Sequence, residues 1–388
     1  MQRRYLCKWE KATIQGDGHQ HPMTDISTSG DRKDIATAAD DMDLQCTAPT
    51  EDYLQEASAL AVSSATLLDA NPMEGNRSLL HRSEGLYNQM VGYMLTPEQL
   101  YDGGYLRLCP RKPGRIVCVL AEAEYSSYKT CSRCASSFVI TAGGKYCSIS
   151  SCCYHPGKCT AFGFSCCGAR PGQAGCKSSP YHVCTLGARN EWDTPAWAFV
   201  RTPRRCTVNG GVFALDCEMS FTIRGFEVTR VSVVDGNGTT VYDSYVTPGS
   251  PVLDYNTVYS GVTAERLRDE RTTLQDVQAV LLRLFSASTV LVGHGLENDL
   301  RCLRLLHDTV VDTAVVFPHN RGLPFRRSLR SLVGTYLNRE VPEGPLGHDT
   351  VERAKACMQL LLWKAAQDKK LLERQSQGAA DWVRRPSQ

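Results

Sequence analysis

From about residue 206 the chain alternates β-branched segments with amphipathic ones, and this alternation restricts the fold more than any other feature. Strand-like "GVFALDCEM" (211–219), "FEVTRVSVVD" (226–235) and "TTVYDSYVTP" (239–248) come first, the last two joined by a "GNG" turn. Helical "TLQDVQAVLLRLF" (273–285), "LENDLRCLRLL" (296–306), "SLRSLVGTYL" (328–337) and a closing helix from 348 then interleave with strands "STVLVGHG" (288–295) and "TVVDTAVVF" (309–317). Three hairpin-like strands followed by alternating helices and strands imply an α/β fold, a mixed sheet covered by helices.

Upstream the composition is different. Residues 1–85 are rich in Asp, Ser, Thr, Ala and Gly with only short apolar stretches, and are expected to form a mostly disordered tail. From 86 a helical pattern leads into "TPEQL", a helix start with Thr96 as cap, and then a Gly-Gly stop. Ten of the eighteen cysteines lie between Cys131 and Cys184, among Gly, Ser, Tyr and two histidines, with almost no helical periodicity. Such a segment lacks apolar residues for a core of its own. The expected organisation is a tail (1–85), a helical lead-in with a Cys/His-rich module (86–205), the α/β domain (206–368) and a polar tail that frays (369–388).

No run approaches the roughly 18–20 apolar residues of a membrane span, and the basic first residues lack the apolar stretch of a secretory signal. The expectation is an intracellular protein with no membrane partner, its cysteines being free thiols or metal ligands rather than disulfides. A net charge of +2 nominates no partner, so any nucleic-acid footprint must be local.

Alternation along "GVFALDCEM" puts Val212, Ala214, Asp216 and Glu218 on one face and Phe213, Leu215, Cys217 and Met219 on the other. Two acids set at the end of an apolar strand call for a compensating cation. In "LVGHGLENDLRCL" a buried strand ends in Gly-His-Gly and Asp299 falls in the first turn of the next helix. His348 opens the closing helix.

An Asp-x-Glu strand, an Asp opening a helix some 80 residues later and a helix-start His near the domain's end resemble the DEDDh 3′-to-5′ exonucleases. The segments "FALDCEM", "TRVSVVD", "DYNTVYSGVT", "DVQAVLL", "LVGHGLENDL", "VDTAVVFPH" and "RRSLRSL" look like the RNA exonuclease 1 branch, which includes the exonuclease GOR antigen. The resemblance implies a ribonuclease-H-like fold and trimming of single-stranded RNA 3′ ends in the nucleus. It also implies two Mg²⁺ or Mn²⁺ ions about 4 Å apart that clamp the scissile phosphate. By the same resemblance Asp216 would bridge both ions, Glu218 would hold the nucleophile-side ion, Asp299 would support the other, and His348 would take the proton from water.

One position departs from that pattern. Five residues after the histidine the family carries a metal-binding aspartate, and this chain has Arg353. A positive charge about 5 Å from a dication costs on the order of 6 kcal/mol before screening, at an effective dielectric near 20. Glu352, about 40° around the helix from His348, is the candidate substitute ligand, while Asp349, one turn before Arg353, could pair with it and draw it aside. Two expectations stand side by side: a working exonuclease, and a pseudonuclease that binds RNA without turnover.

"CSRC" gives Cys131-x-x-Cys134, the knuckle spacing of zinc sites. Cys153, His155, Cys167, Cys176 and His182 join these two as candidate Zn²⁺ ligands from their likeness to family positions, with Cys147, Cys152, Cys159 and Cys166 leaving the pairing open. Buried free thiols are the other reading. Basic residues concentrate at Arg201, Arg204 and Arg205 and in "RGLPFRRSLR", where Arg326, Arg327 and Arg330 are candidate contacts to an RNA backbone.

Overall fold

Eleven residues, Val212–Thr222, form β1, the long central strand of a six-stranded sheet. A two-residue turn at Ile223 and Arg224 returns the chain antiparallel as β2 (Gly225–Asp235), where Gly225 takes the positive φ of 105° that its Cβ-less backbone tolerates. β3 (Thr240–Tyr245) continues the meander, and β4 (Val252–Asp254) pairs with the far end of β1. On the other side of β1 lie the parallel strands β5 (Val290–Gly293) and β6 (Val310–Asp312), giving the order β3-β2-β1-β5-β6. The computed structural model describes residues 85–109, 114, 116–117, 128–141, 146–147, 150–185, 198–205, 210–322, 325–341, 343–344 and 347–383. The expected disordered tail, Gly85 aside, and the boundary at 206 lie outside the described residues.

Helices cover both faces, as the pattern implies. α1 (Leu274–Leu284), α2 (Glu297–Cys302), α3 (Leu329–Tyr336) and α4 (Thr350–Val383) divide between them. Val212, Ala214, Val290 and Val292 pack against Leu332 and Val333 of α3 and Cys357, Met358 and Leu361 of α4. Leu215, Cys217, Val231 and Leu291 face Val277 and Leu281 of α1 and Leu300 of α2. The alternating residues of β1 thus serve two separate cores. Thr273 closes a capping box with Asp276 at α1, Ser328 caps α3, and Thr96 with Gln99 caps the helix Pro97–Gly103, which ends on Gly104 at φ 81°.

Three elements differ from the pattern. α2 ends at Cys302 rather than running to 306, because Leu305–Leu306 pairs in parallel with Val200–Arg201. The segment 309–317 is strand only to Asp312, whose carboxylate accepts the Ala314 N–H and so caps the short helix Thr313–Val316. α4 begins at Thr350; His348 sits before it, in a two-residue strand (Gly347–His348) antiparallel to Glu343–Gly344. That helix also runs on to Val383 instead of fraying at 369, its residues 369–376 exposed, so their polarity reflects a solvated helix.

Contrary to the expectation that the Cys/His-rich segment has no core of its own, its described residues between 128 and 184 form two- and three-residue strands around Cys131, Phe138, Ile140, Cys152 and Cys184, the cysteines supplying the burial that its few apolar residues do not. Arg133, inside the "CSRC" knuckle, binds this module to the sheet. Its Nη1 donates to Asp254 of β4 at 2.7 Å, and its guanidinium lies 4.8 Å from the ring centroids of Tyr154 and Phe221.

Candidate active site

β1 outruns its parallel neighbour. Its register with β5 ends at Ala214 opposite Val292, while β2 still pairs with the residues beyond, Ser232 opposite Asp216 and Arg230 opposite Glu218. Asp216 and Glu218 continue the face of Val212 and Ala214, 3% and 8% exposed. Asp299, from α2, is equally buried, and its Oδ1 accepts the Cys217 N–H at 2.9 Å. A backbone donor with no β5 residue opposite it is satisfied by a carboxylate, which fixes the third acid against the strand that carries the other two.

Burial pushes all three carboxyls up. For Glu218 and Asp299 the charge of Asp216 adds to that shift, and the Arg353 guanidinium opposes it at every one of the three. The Glu218 carboxylate makes no hydrogen bond among the described residues.

Arg353 points into this cluster. Its Nε donates to Asp216 Oδ2 at 2.8 Å, with the two side chains 12% and 5% exposed. The expected diversion by Asp349 does not occur: that carboxylate accepts the Val351 N–H at 3.1 Å and lies 3.4 Å from Arg230 Nη1. Arg230 in turn grips Asp243 through two nitrogens at 3.0 and 2.9 Å, and Ser232 Oγ donates to Thr350 Oγ1 at 2.6 Å. These contacts pin the start of α4 to β2 and bring Arg353, one turn later, over Asp216. Glu352 faces away, paired with Lys355 at 3.0 Å and about one third exposed, so it does not serve as the substitute ligand. The side chain of His348 lies outside those described.

Two residues beside the cluster, His294 and Glu297, carry no signal in the sequence that singles them out. His294 Nδ1 is 2.9 Å from Thr313 Oγ1, and burial pushes this imidazole down to about 4, leaving it neutral. Glu297 accepts from Arg326 Nη1 at 2.7 Å, which commits the first of the three arginines expected to contact RNA to a largely buried ion pair. Arg327 is also committed, donating to Tyr336 Oη at 2.8 Å and Thr335 Oγ1 at 2.9 Å. Arg330 stays exposed. Of the upstream run, Arg201 pairs with Asp308, and Arg205 donates to the last carbonyls of α1, those of Leu282 and Arg283.

Among the described residues two Cys/His groups form in the module. Cys131, Cys134, Cys152 and His182 make one; His155, Cys166, Cys167 and Cys176 make the other, the ligand atoms of each lying within 4.8 Å of one another. Cys153 is the correction. Alternation in the strand Cys152–Tyr154 buries Cys152 and exposes Cys153, so the neighbour takes its place. Sulfur separations of 3.7 Å (Cys131 to Cys152), 3.8 Å (Cys166 to Cys167) and 3.5 Å (Cys166 to Cys176) match the roughly 3.8 Å edge of a tetrahedron with Zn–S bonds near 2.3 Å. The second ring nitrogen of each histidine has its own partner: His182 Nε2 meets Ser150 Oγ at 3.1 Å, and His155 Nε2 meets the Gln173 carbonyl at 3.3 Å.

No protein-family model matches the chain. It is 41% identical over 303 residues to the human RNA exonuclease 1 homolog, covering 74% of this chain and 24% of that protein. To the human putative exonuclease GOR it is 40% identical over 293 residues, covering 73% of this chain and 43% of the other. The chain therefore spans less than half the length of these relatives. Among solved structures the Neurospora crassa Pan2 catalytic unit, a protease and nuclease domain, aligns at 20% identity with a TM-score of 0.38, covering 48% of this chain and 33% of that one. With some two fifths of its residues shared over about three quarters of its length, the chain belongs to the RNA exonuclease 1 and exonuclease GOR branch.

Proposed function

We propose that this chain carries a divalent-metal-dependent 3′-to-5′ exoribonuclease domain of the DEDDh type, ribonuclease-H-like in fold and acting on single-stranded RNA 3′ ends in the nucleus. The observation that carries the reading is the convergence of Asp216, Glu218 and Asp299, three acids from two elements, at one buried place. Hard carboxylate oxygens fit Mg²⁺ or Mn²⁺, and these three residues would hold the metal. A metal bound there would supply Lewis-acid polarisation of a phosphoryl oxygen. Arg353 stands where the family pattern has a fourth acid.

The chain's own groups then act as follows. His348, in the short strand before α4, takes the proton of the attacking water. Oxygen attacks phosphorus, and the bond to the 3′-oxygen of the preceding nucleotide breaks. A nucleoside 5′-monophosphate leaves, and the shortened RNA keeps a 3′-hydroxyl protonated from solvent. The Cys/His groups would hold two structural Zn²⁺ ions, Cys131, Cys134, Cys152 and His182 around one and His155, Cys166, Cys167 and Cys176 around the other.

A second reading is favoured by one contact. The Arg353 to Asp216 ion pair engages the acid expected to do most, which supports an RNA-binding pseudonuclease. Purified full-length protein with 5′-labelled single-stranded RNA and Mg²⁺ or Mn²⁺ separates the two. Stepwise shortening that Asp216→Ala abolishes supports the enzyme. RNA binding without shortening, with trimming gained on Arg353→Asp, supports the pseudonuclease.

A further inference from the structure

We infer that the Arg353 guanidinium is a resident cation of this cluster, so that Asp216, Glu218 and Asp299 take one divalent ion and not two. This rests on reading the cluster as a metal site, though not on turnover.

The charges set the stoichiometry. Once a bound cation holds all three carboxyls ionised, the guanidinium leaves two negative charges in a largely buried space, which one dication neutralises and two would overshoot. Two side chains keep oxygens for that ion. Glu218 is nine-tenths buried and without a hydrogen bond among the described residues, and Asp299 spends only Oδ1 on the Cys217 N–H. Asp216 likewise has one oxygen, Oδ2, on Arg353.

The guanidinium is held in place rather than draped there. Ser232 to Thr350 and Arg230 to Asp349 anchor the first turn of α4, and the Arg353 N–H donates to the Asp349 carbonyl within it. With the Asp349 carboxylate occupied by Arg230 and the Val351 N–H, no acid one turn away competes for Arg353. The guanidinium whose Nε donates to Asp216 remains charged at any working pH, so this cation cannot be titrated or chelated away.

The test counts Mn²⁺ bound to the full-length chain by equilibrium dialysis, the cysteine-rich groups first saturated with Zn²⁺. The expectation is one Mn²⁺ for the unaltered chain, one for Arg353→Lys, which keeps the cation, and none for Asp216→Asn with Asp299→Asn. Arg353→Asp, which makes the cluster four carboxylates, is expected to bind two. Two ions on the unaltered chain, or one on a folded Arg353→Asp, would overturn the inference. No Mn²⁺ on either would remove the metal-site reading along with it. If the counts come out as expected and no RNA is shortened, the exonuclease reading fails while the stoichiometry stands.

Discussion

Replacing Arg353 by methionine removes the positive charge but keeps most of the packing volume. The change leaves Asp216, Glu218 and Asp299 together with no cation, at sites 3%, 8% and 7% exposed. Breaking a buried ion pair from one side costs about 3–5 kcal/mol, because the surviving charge is stranded in low dielectric. Part of that is recovered as a carboxyl takes up a proton, which burial already favours at all three. With about 3 kcal/mol left after that recovery, and about 2–4 °C per kcal/mol for a domain of 150–250 residues, the melting temperature should fall by about 6–12 °C. The measurement is a thermal melt in buffer free of Mg²⁺ and Mn²⁺, with the zinc groups loaded. Asp216→Asn is the comparison: it leaves the guanidinium beside two acids and should lose less. Adding Mn²⁺ to a hundred times its dissociation constant returns about 2.7 kcal/mol per site by mass action, so the methionine variant should regain most of its loss. If Arg353→Met melts with the unaltered protein in metal-free buffer, the guanidinium is not neutralising the cluster and the argument from charge fails.

Other expectations follow from single contacts. Cys152→Ser should lower bound zinc by one equivalent in elemental analysis and Cys153→Ser should not, since only the first faces a Cys/His group. Arg133→Ala removes a charge-assisted hydrogen bond worth about 1.5–3 kcal/mol and two cation–π contacts. It should speed proteolytic release of the 128–185 segment while zinc content is unchanged. His307 is buried and held below its ordinary pKa, its Nε2 donating to the carbonyls of Thr289 and Thr309 and its Nδ1 meeting Thr202. The unfolded chain therefore binds the extra proton first: this contribution to stability is complete above about pH 6.5 and is lost as the pH falls below it. Urea midpoints between pH 7.5 and 5 should drop less steeply in His307→Gln than in the unaltered chain, and equal slopes would contradict the assignment.

What the sequence disclosed and what it withheld divide along a physical line. The face shared by Asp216 and Glu218 was legible because strand side chains repeat every two residues, and the Thr96 cap was legible because a cap is a local bond. Choosing Cys152 over Cys153 needed the strand's register against a core that only the folded module supplies. The basic run 326–330 read as a phosphate footprint because Glu297 and Tyr336, its partners, come from elsewhere in the chain. Arg353 is the sharpest case. Its sequence neighbour Asp349 looked like the natural partner, and the pairing would have cleared the site; but Asp349 is taken by Arg230, which arrives from β2 across the sheet. An arginine in place of an acid thus does not imply a site that is empty of cations. On the metal-site reading proposed above, it means that one of the cations facing the acids is covalently part of α4.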